Sequence, residues 1–131
     1  MTDNLIIRHA LKSDIPCMVA ALSELLAIEN EVIDEKAITK GFEMVMASPD
    51  TYCIFVAELN GEVVGMCQAQ SLVSVDEGAR AAYIENVIVR GNLRSYGIGA
   101  KLLNALEEHC RQTGHIRLTL LVLAKNTAGI N

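Results

Sequence analysis

The chain has 131 residues, of which 51% are hydrophobic and 21% charged; that suffices for one domain with a real core, is too short for two ordinary domains and too apolar for a disordered segment. A formal net charge of −5 excludes a nonspecific nucleic-acid binder, which needs a basic face. The four cysteines, Cys17, Cys53, Cys67 and Cys110, show neither CxxC nor His-paired spacing, so no metal site and no disulfide framework is expected.

LIIRHA reads as a first strand. In SDIP, Ser13 or Asp14 can cap a helix whose first turn tolerates Pro16. Met18, Leu22, Leu25 and Leu26 carry that helix to about Ile28, and Ile38, Phe42, Val45 and Met46 mark a second one, ended by Ser48-Pro49. TYCIFVAEL and EVVGMCQAQSLVS are strand-like runs joined by Asn60-Gly61, a strong hairpin signal because both turn positions tolerate positive φ. A second turn at Asp76 to Gly78 leads into RAAYIENVIVR, giving three consecutive antiparallel strands. From Ile98 to about Thr113 the spacing of Leu102, Leu103, Leu106 and Cys110 predicts a helix stopped by Gly114, and HIRLTLLVLA is one more strand. The predicted order is βααβββαβ, an α/β (α+β) chain ending in a βαβ unit with a right-handed crossover. The apolar runs are far short of a membrane span, and MTDNLIIRHA lacks a signal-peptide layout, so a cytoplasmic protein is expected.

Two glycines, Gly97 and Gly99, stand where the last helix begins, although glycine inside a helix costs about 1 kcal/mol relative to alanine. They keep side chains away from the first N–H groups of the helix, which have no partner within it and lie at its positive end. Phosphate oxygens would satisfy those groups. No acidic residue occurs from Asn86 through Leu106, while Arg90, Arg94 and Lys101 fall inside that window. The spacing alone reads equally as close helix-to-sheet packing. It excludes a Walker loop and a dinucleotide fingerprint, whose GxxxxGK[ST] and GxGxxG are missing.

VIVRGNLRSYGIGAKLL resembles the acetyl-CoA motif of the GNAT superfamily of N-acetyltransferases, whose Arg/Gln-x-x-Gly-x-Gly/Ala signature is matched by Arg94-Ser95-Tyr96-Gly97-Ile98-Gly99. IRHALKSDIP, FVAELNGEVVG and YIENVIV resemble the family's first strand and helix, central hairpin and fourth strand, so nearly the whole chain is covered in family order. The resemblance implies a GNAT-like, mostly antiparallel sheet over residues 1–131. It implies that the N–H groups of Ser95, Tyr96, Gly97, Ile98, Gly99 and Ala100, with Arg94, hold the pyrophosphate of acetyl-CoA. Pantetheine would run along the backbone of Val87, Ile88 and Val89, freed where the fourth strand bulges and splays from the fifth.

The implied reaction is direct acetyl transfer to an amine of a small molecule or peptide. An alkyl amine of pKa about 10.4 is neutral about once in 2,500 at pH 7, a cost of roughly 4.6 kcal/mol, so a base is needed. Glu85 is the candidate, read as sharing a strand face with Tyr83 and Val87; it would need burial or a water relay to serve. Tyr83 is a candidate for lining the acceptor site, and Val87 N–H for polarising the thioester carbonyl. His9, His109 and His115 lie on different elements and receive no catalytic role. The acidic run Glu29, Glu31, Asp34 and Glu35 reads either as a solvated loop or as an attraction for a cationic amine.

LAKNTAGIN reaches Asn126 of the family's Asn-x-x-Ala stretch, with Ala128 close after it, Asn126 being a further implied cofactor contact, and stops where the family continues into a helix, commonly with a tyrosine, and two strands. No general acid is therefore assigned. Leu118, Leu120 and Val122 on one face of the last strand and Thr119, Leu121 and Leu123 on the other need cover, which a second copy of the chain is expected to supply as a homodimer. Three readings stand: an acetyltransferase, an acetyl-CoA-binding sensor or regulatory module on the same fold, and an α/β interaction domain whose glycines only pack.

Overall fold

The computed structural model describes residues 4–120, the side chains of residues 94 and 95 excepted. Its elements are β1 (Leu5–His9), α1 (Ile15–Ile28), α2 (Glu35–Met46), β2 (Tyr52–Leu59), β3 (Glu62–Ser74), β4 (Ala79–Val89), α3 (Ile98–Gln112) and β5 (His115–Leu120), in the predicted order. They form a five-stranded sheet in the order β1-β2-β3-β4-β5, antiparallel except for the parallel pair β4 and β5. Asn60 and Gly61 both carry positive φ, 53° and 84°, as a two-residue hairpin with the strands' own twist demands.

Each face of the sheet has its own core. Ile98, Leu102, Leu106 and Cys110, one stripe of α3, pack on Phe55, Ala57, Cys67, Ala69, Ala82 and Ile84. Met18, Val19 and Leu25 of α1, with Phe42 of α2, pack on Ile54, Val56, Met66 and Ile88 on the other face. At Gly65 of β3 an added Cβ would stand 3.0 Å from the Ile88 carbonyl oxygen and 3.3 Å from Leu102, so only glycine lets α3 and β4 come this close.

Asp14 stands at the head of α1 but does not cap it with its side chain. Its carboxylate instead accepts Leu11 N–H at 2.7 Å and both ends of the Arg8 guanidinium at 2.8 and 3.0 Å, while Glu58 takes the rest of that fork. Hydrogen bonding to Arg8 holds the Asp14 carboxyl below the usual carboxylate range. The second helix is capped conventionally, Asp34 accepting Ala37 N–H at 3.1 Å.

Candidate active site

β4 and the turn after it carry most of the predicted site residues. The pairing of β3 with β4 runs Gln68 to Asn86 and then Ala69 to Ile84, so Glu85 is an extra residue without a cross-strand partner, a β-bulge. Before it, Ala82 and Ile84 face the α3 core; after it, Val87 and Val89 do, and Ile88 turns to the α1 and α2 core. The expected common face of Tyr83, Glu85 and Val87 is therefore corrected, because one inserted residue reverses the alternation and sends Val87 to the α3 side.

The bulge also decides the state of Glu85. Its Oε1 is buried without a hydrogen-bond partner, and burial raises its pKa. A solvated or ion-paired glutamate would be shifted little or downward, so the fold supplies the condition that a glutamate base requires. Tyr83 lies half-buried beside it, paired with Gln70 on β3 and Thr119 on β5.

Downstream, Arg90 N–H donates to the Val64 carbonyl at 2.9 Å, which fixes the exit of β4. Residues Gly91–Tyr96 make a short 3₁₀ turn, Gly97 adopts the left-handed conformation with φ 74°, and α3 starts at Ile98. A Cβ on Gly97 would meet nothing within 4 Å. One on Gly99 would only touch Val89 Cγ2 at 3.8 Å and Val87 Cγ1 at 4.0 Å, an ordinary contact. Close packing thus explains neither glycine. The turn is open above the first N–H groups of α3, whose first turn carries no acidic residue, and Gly99 lies over the side chains of Val87 and Val89. Turn and strand thus adjoin at the start of α3, where unpaired helix N–H groups are a general feature that suits an anion.

The fold adds what the sequence window did not show. Glu24 of α1 reaches this region and accepts Gly91 N–H at 3.3 Å, placing a carboxylate beside the basic segment. Lys101 is exposed and Arg90 half-buried. Asn126 lies outside the described residues, as do Val122 and Leu123 of the expected last strand. Among the described residues, no group of three or more His, Cys, Asp or Glu could hold a metal ion.

The three histidines, scattered in sequence, converge at the far end of α3. The His9 ring stacks on Phe55 at 4.4 Å and meets His109 edge-on at 5.1 Å, and His115 Nε2 is 2.9 Å from Ser71 Oγ. His109 lies eleven residues beyond the start of α3, about 16 Å from the glycine turn at 1.5 Å per residue. No local spacing announces His9, which meets His109 only because β1 and α3 pack together in the fold.

Comparison with known proteins agrees with this geometry. The sequence profile described as the acetyltransferase (GNAT) family matches residues 19–131. The chain is 32% identical over 108 residues to aminoalkylphosphonate N-acetyltransferase of Salmonella typhimurium, covering 82% of this chain and 68% of that protein. Its fold superposes on a GNAT family acetyltransferase of Staphylococcus aureus with a TM-score of 0.78 at 19% identity, over 94% of this chain and 90% of the other. It also superposes on glucosamine-6-phosphate N-acetyltransferase of Arabidopsis thaliana with a TM-score of 0.75 at 21% identity, over 96% and 87%. With an open glycine turn, a bulged fourth strand and a family profile spanning most of its length, the chain belongs to the GNAT family of N-acetyltransferases.

Proposed function

We propose that this protein moves an acetyl group from acetyl-CoA directly to a primary amine of a small molecule or peptide, with Glu85 as the general base. The observation that carries the reading is the bulge: it buries a carboxylate oxygen of Glu85 without a partner on the strand that leads into the open glycine turn. Acetyl-CoA would supply the activated acetyl thioester. The N–H groups of Ser95 to Ala100, with Arg94, would hold its pyrophosphate, and the backbone of Val87, Ile88 and Val89 its pantetheine, with Asn126 contributing from beyond Leu120.

The chain's own part in the reaction is to neutralise and orient the amine. Glu85, with its proton affinity raised by burial, takes the ammonium proton directly or through a water. Tyr83 lines the acceptor side, and Val87 N–H donates to the carbonyl oxygen as charge builds there. We place the enzyme in the cytoplasm; no helix among the described residues is long and apolar enough to cross a membrane. A second copy is proposed against β5, where Ile116 and Leu120 are exposed; a monomer in sedimentation at micromolar concentration would remove that part.

Two measurements test the reading. Acetyl-CoA at 100 times its dissociation constant should stabilise the protein by about 2.7 kcal/mol in thermal denaturation, and Gly99→Glu, whose carboxylate opposes the pyrophosphate, should abolish the effect. Acceptor-dependent CoA release should then be followed across primary amines, beginning with aminoalkylphosphonates and amino sugar phosphates because the relatives are named for them. Stabilisation by acetyl-CoA without release for any amine would mean a sensor rather than an enzyme.

A further inference from the structure

Beside the histidine cluster lie two adjoining cavities that the acetyl-transfer reading does not use. One, of about 320 Å³, is lined by residues of β2, β3, β4 and the end of α3; the other, of about 300 Å³, lies toward β1 and α2. They share Pro49, Tyr52, Cys53 and His109, so they adjoin as two compartments of a cleft divided by those side chains. Each half is at the lower end of the size that holds a small organic molecule.

The halves differ in chemistry. The β1 side is apolar and aromatic: the rings of His9, Tyr52 and His109 line it with Val45, Met46 and Ile54. Burial, with His9 and His115 nearby, lowers the pKa of His109, so that ring is a neutral aromatic surface. Burial also pushes the Cys53 thiol up to about 12 and raises that of Cys110, so neither sulfur adds negative charge.

The β4 side is polar and already ordered by hydrogen bonds. Thr113 donates its hydroxyl proton to the His109 carbonyl at 2.8 Å and so accepts from His115 Nδ1–H at 3.0 Å; the Cys110 carbonyl, 3.3 Å from the same nitrogen, can only accept as well. This places the proton on Nδ1 and leaves Nε2 to accept from Ser71 Oγ–H at 2.9 Å, while Ser71 accepts from Arg80 Nη1 at 3.2 Å. Arg80 heads the chain and is exposed. Three other arginines are neutralised: Arg8 by Asp14 and Glu58, Arg111 by Glu107 and Glu108, and Arg117 by Glu77. Arg80 holds only a neutral hydroxyl among the described residues, and it lines the cleft with the rest of its donor fork unpaired there. Asp50 is the one carboxylate among the lining residues and opposes that charge.

We propose that this cleft is a second small-molecule site, separate from acetyl transfer, for an aromatic oxyanion: a planar ring seated among His9, Tyr52 and His109, bearing a carboxylate or phosphate held by Arg80. Neither half selects such a ligand alone. The ring compartment gives no charge recognition, and a single exposed arginine binds a free anion weakly.

The test uses histidine side-chain NMR of the full chain, titrated with phenylacetate and phenyl phosphate; their relative affinities tell which oxyanion is preferred. Benzyl alcohol supplies the ring without charge, and acetate and inorganic phosphate the charge without a ring. Resonances of His109 and His115 should shift saturably with at least one aromatic anion. The affinity should exceed that of the ringless and uncharged controls by about tenfold, fall about tenfold in Arg80→Gln and rise in Asp50→Asn. Unchanged stabilisation by acetyl-CoA in Arg80→Gln would show that the variant is folded. The proposal is overturned by no shift at millimolar aromatic anion, by equal affinity for the controls, or by equal affinity in Arg80→Gln.

Discussion

Asp14 at the head of α1 and Glu85 at the bulge of β4 are both carboxylates withdrawn from water, and the fold treats them in opposite ways. Asp14 is met by a bidentate guanidinium and a backbone N–H, and its proton affinity falls. Glu85 has a buried oxygen with no partner, and its proton affinity rises. A carboxylate fixed by three hydrogen bonds is a permanent charge that ties β1 to α1; one left unmatched holds a proton more tightly than in water. Burial alone does not make a base, because the partner decides the sign of the shift.

The largest effect that would probe this contrast is at Asp14. Asp14→Asn should cost about 3 kcal/mol of stability in denaturant unfolding at neutral pH, since Arg8 keeps Glu58 as its one charged partner among the described residues. Asp14 is held below its unfolded value, so its contribution is complete above the ordinary carboxylate range and is lost as pH falls through the depressed value. The variant should therefore approach the parent in strong acid, and a gap that persisted there would point to packing instead.

Next in size is the rate. Glu85→Gln should lower kcat/KM for alkyl amines about 100-fold, a typical general-base contribution. In the parent, activity should decline as pH falls through the raised Glu85 value, and that limb should vanish in the variant. An unchanged profile would make Glu85 a bystander and erase the functional half of the comparison.

The smallest effect has the opposite sign from that at Asp14. Glu85 is held above its unfolded value, so any stabilisation it gives is complete below the unfolded value and lost as pH rises through the folded one. Its ionised form is disfavoured by burial, so Glu85→Gln should be at least as stable as the parent above the folded value while losing activity. Lower stability in the variant would mean that the carboxylate has a stabilising partner after all.

Much of the fold was legible because its signals are local. Helical spacing in Met18, Leu22, Leu25 and Leu26, the Asn60-Gly61 turn and the stop at Gly114 depend on neighbours a few residues apart. The glycine turn was legible too, but its meaning was not: packing and ligand access predict the same letters. Gly97 is accounted for by its left-handed φ of 74°, and only the ordinary contact at Gly99 separates the two meanings. The bulge left a trace, since Ala82 and Ile84 sit at even positions and Val87 and Val89 at odd ones, with the polar pair Glu85-Asn86 between them. Strict alternation read across that pair put Val87 on the wrong face.

By itself, then, the sequence determined the element order, the turns and an acid-free basic segment at the start of α3, because propensity, periodicity and charge are written along the chain. Tertiary structure decided which carboxylate is paired, which face Val87 takes, and that Arg80, Ser71, His109 and His115 share one cleft. Those depend on distances between residues far apart in sequence, and in a low-dielectric interior such distances set the sign and size of every polar interaction.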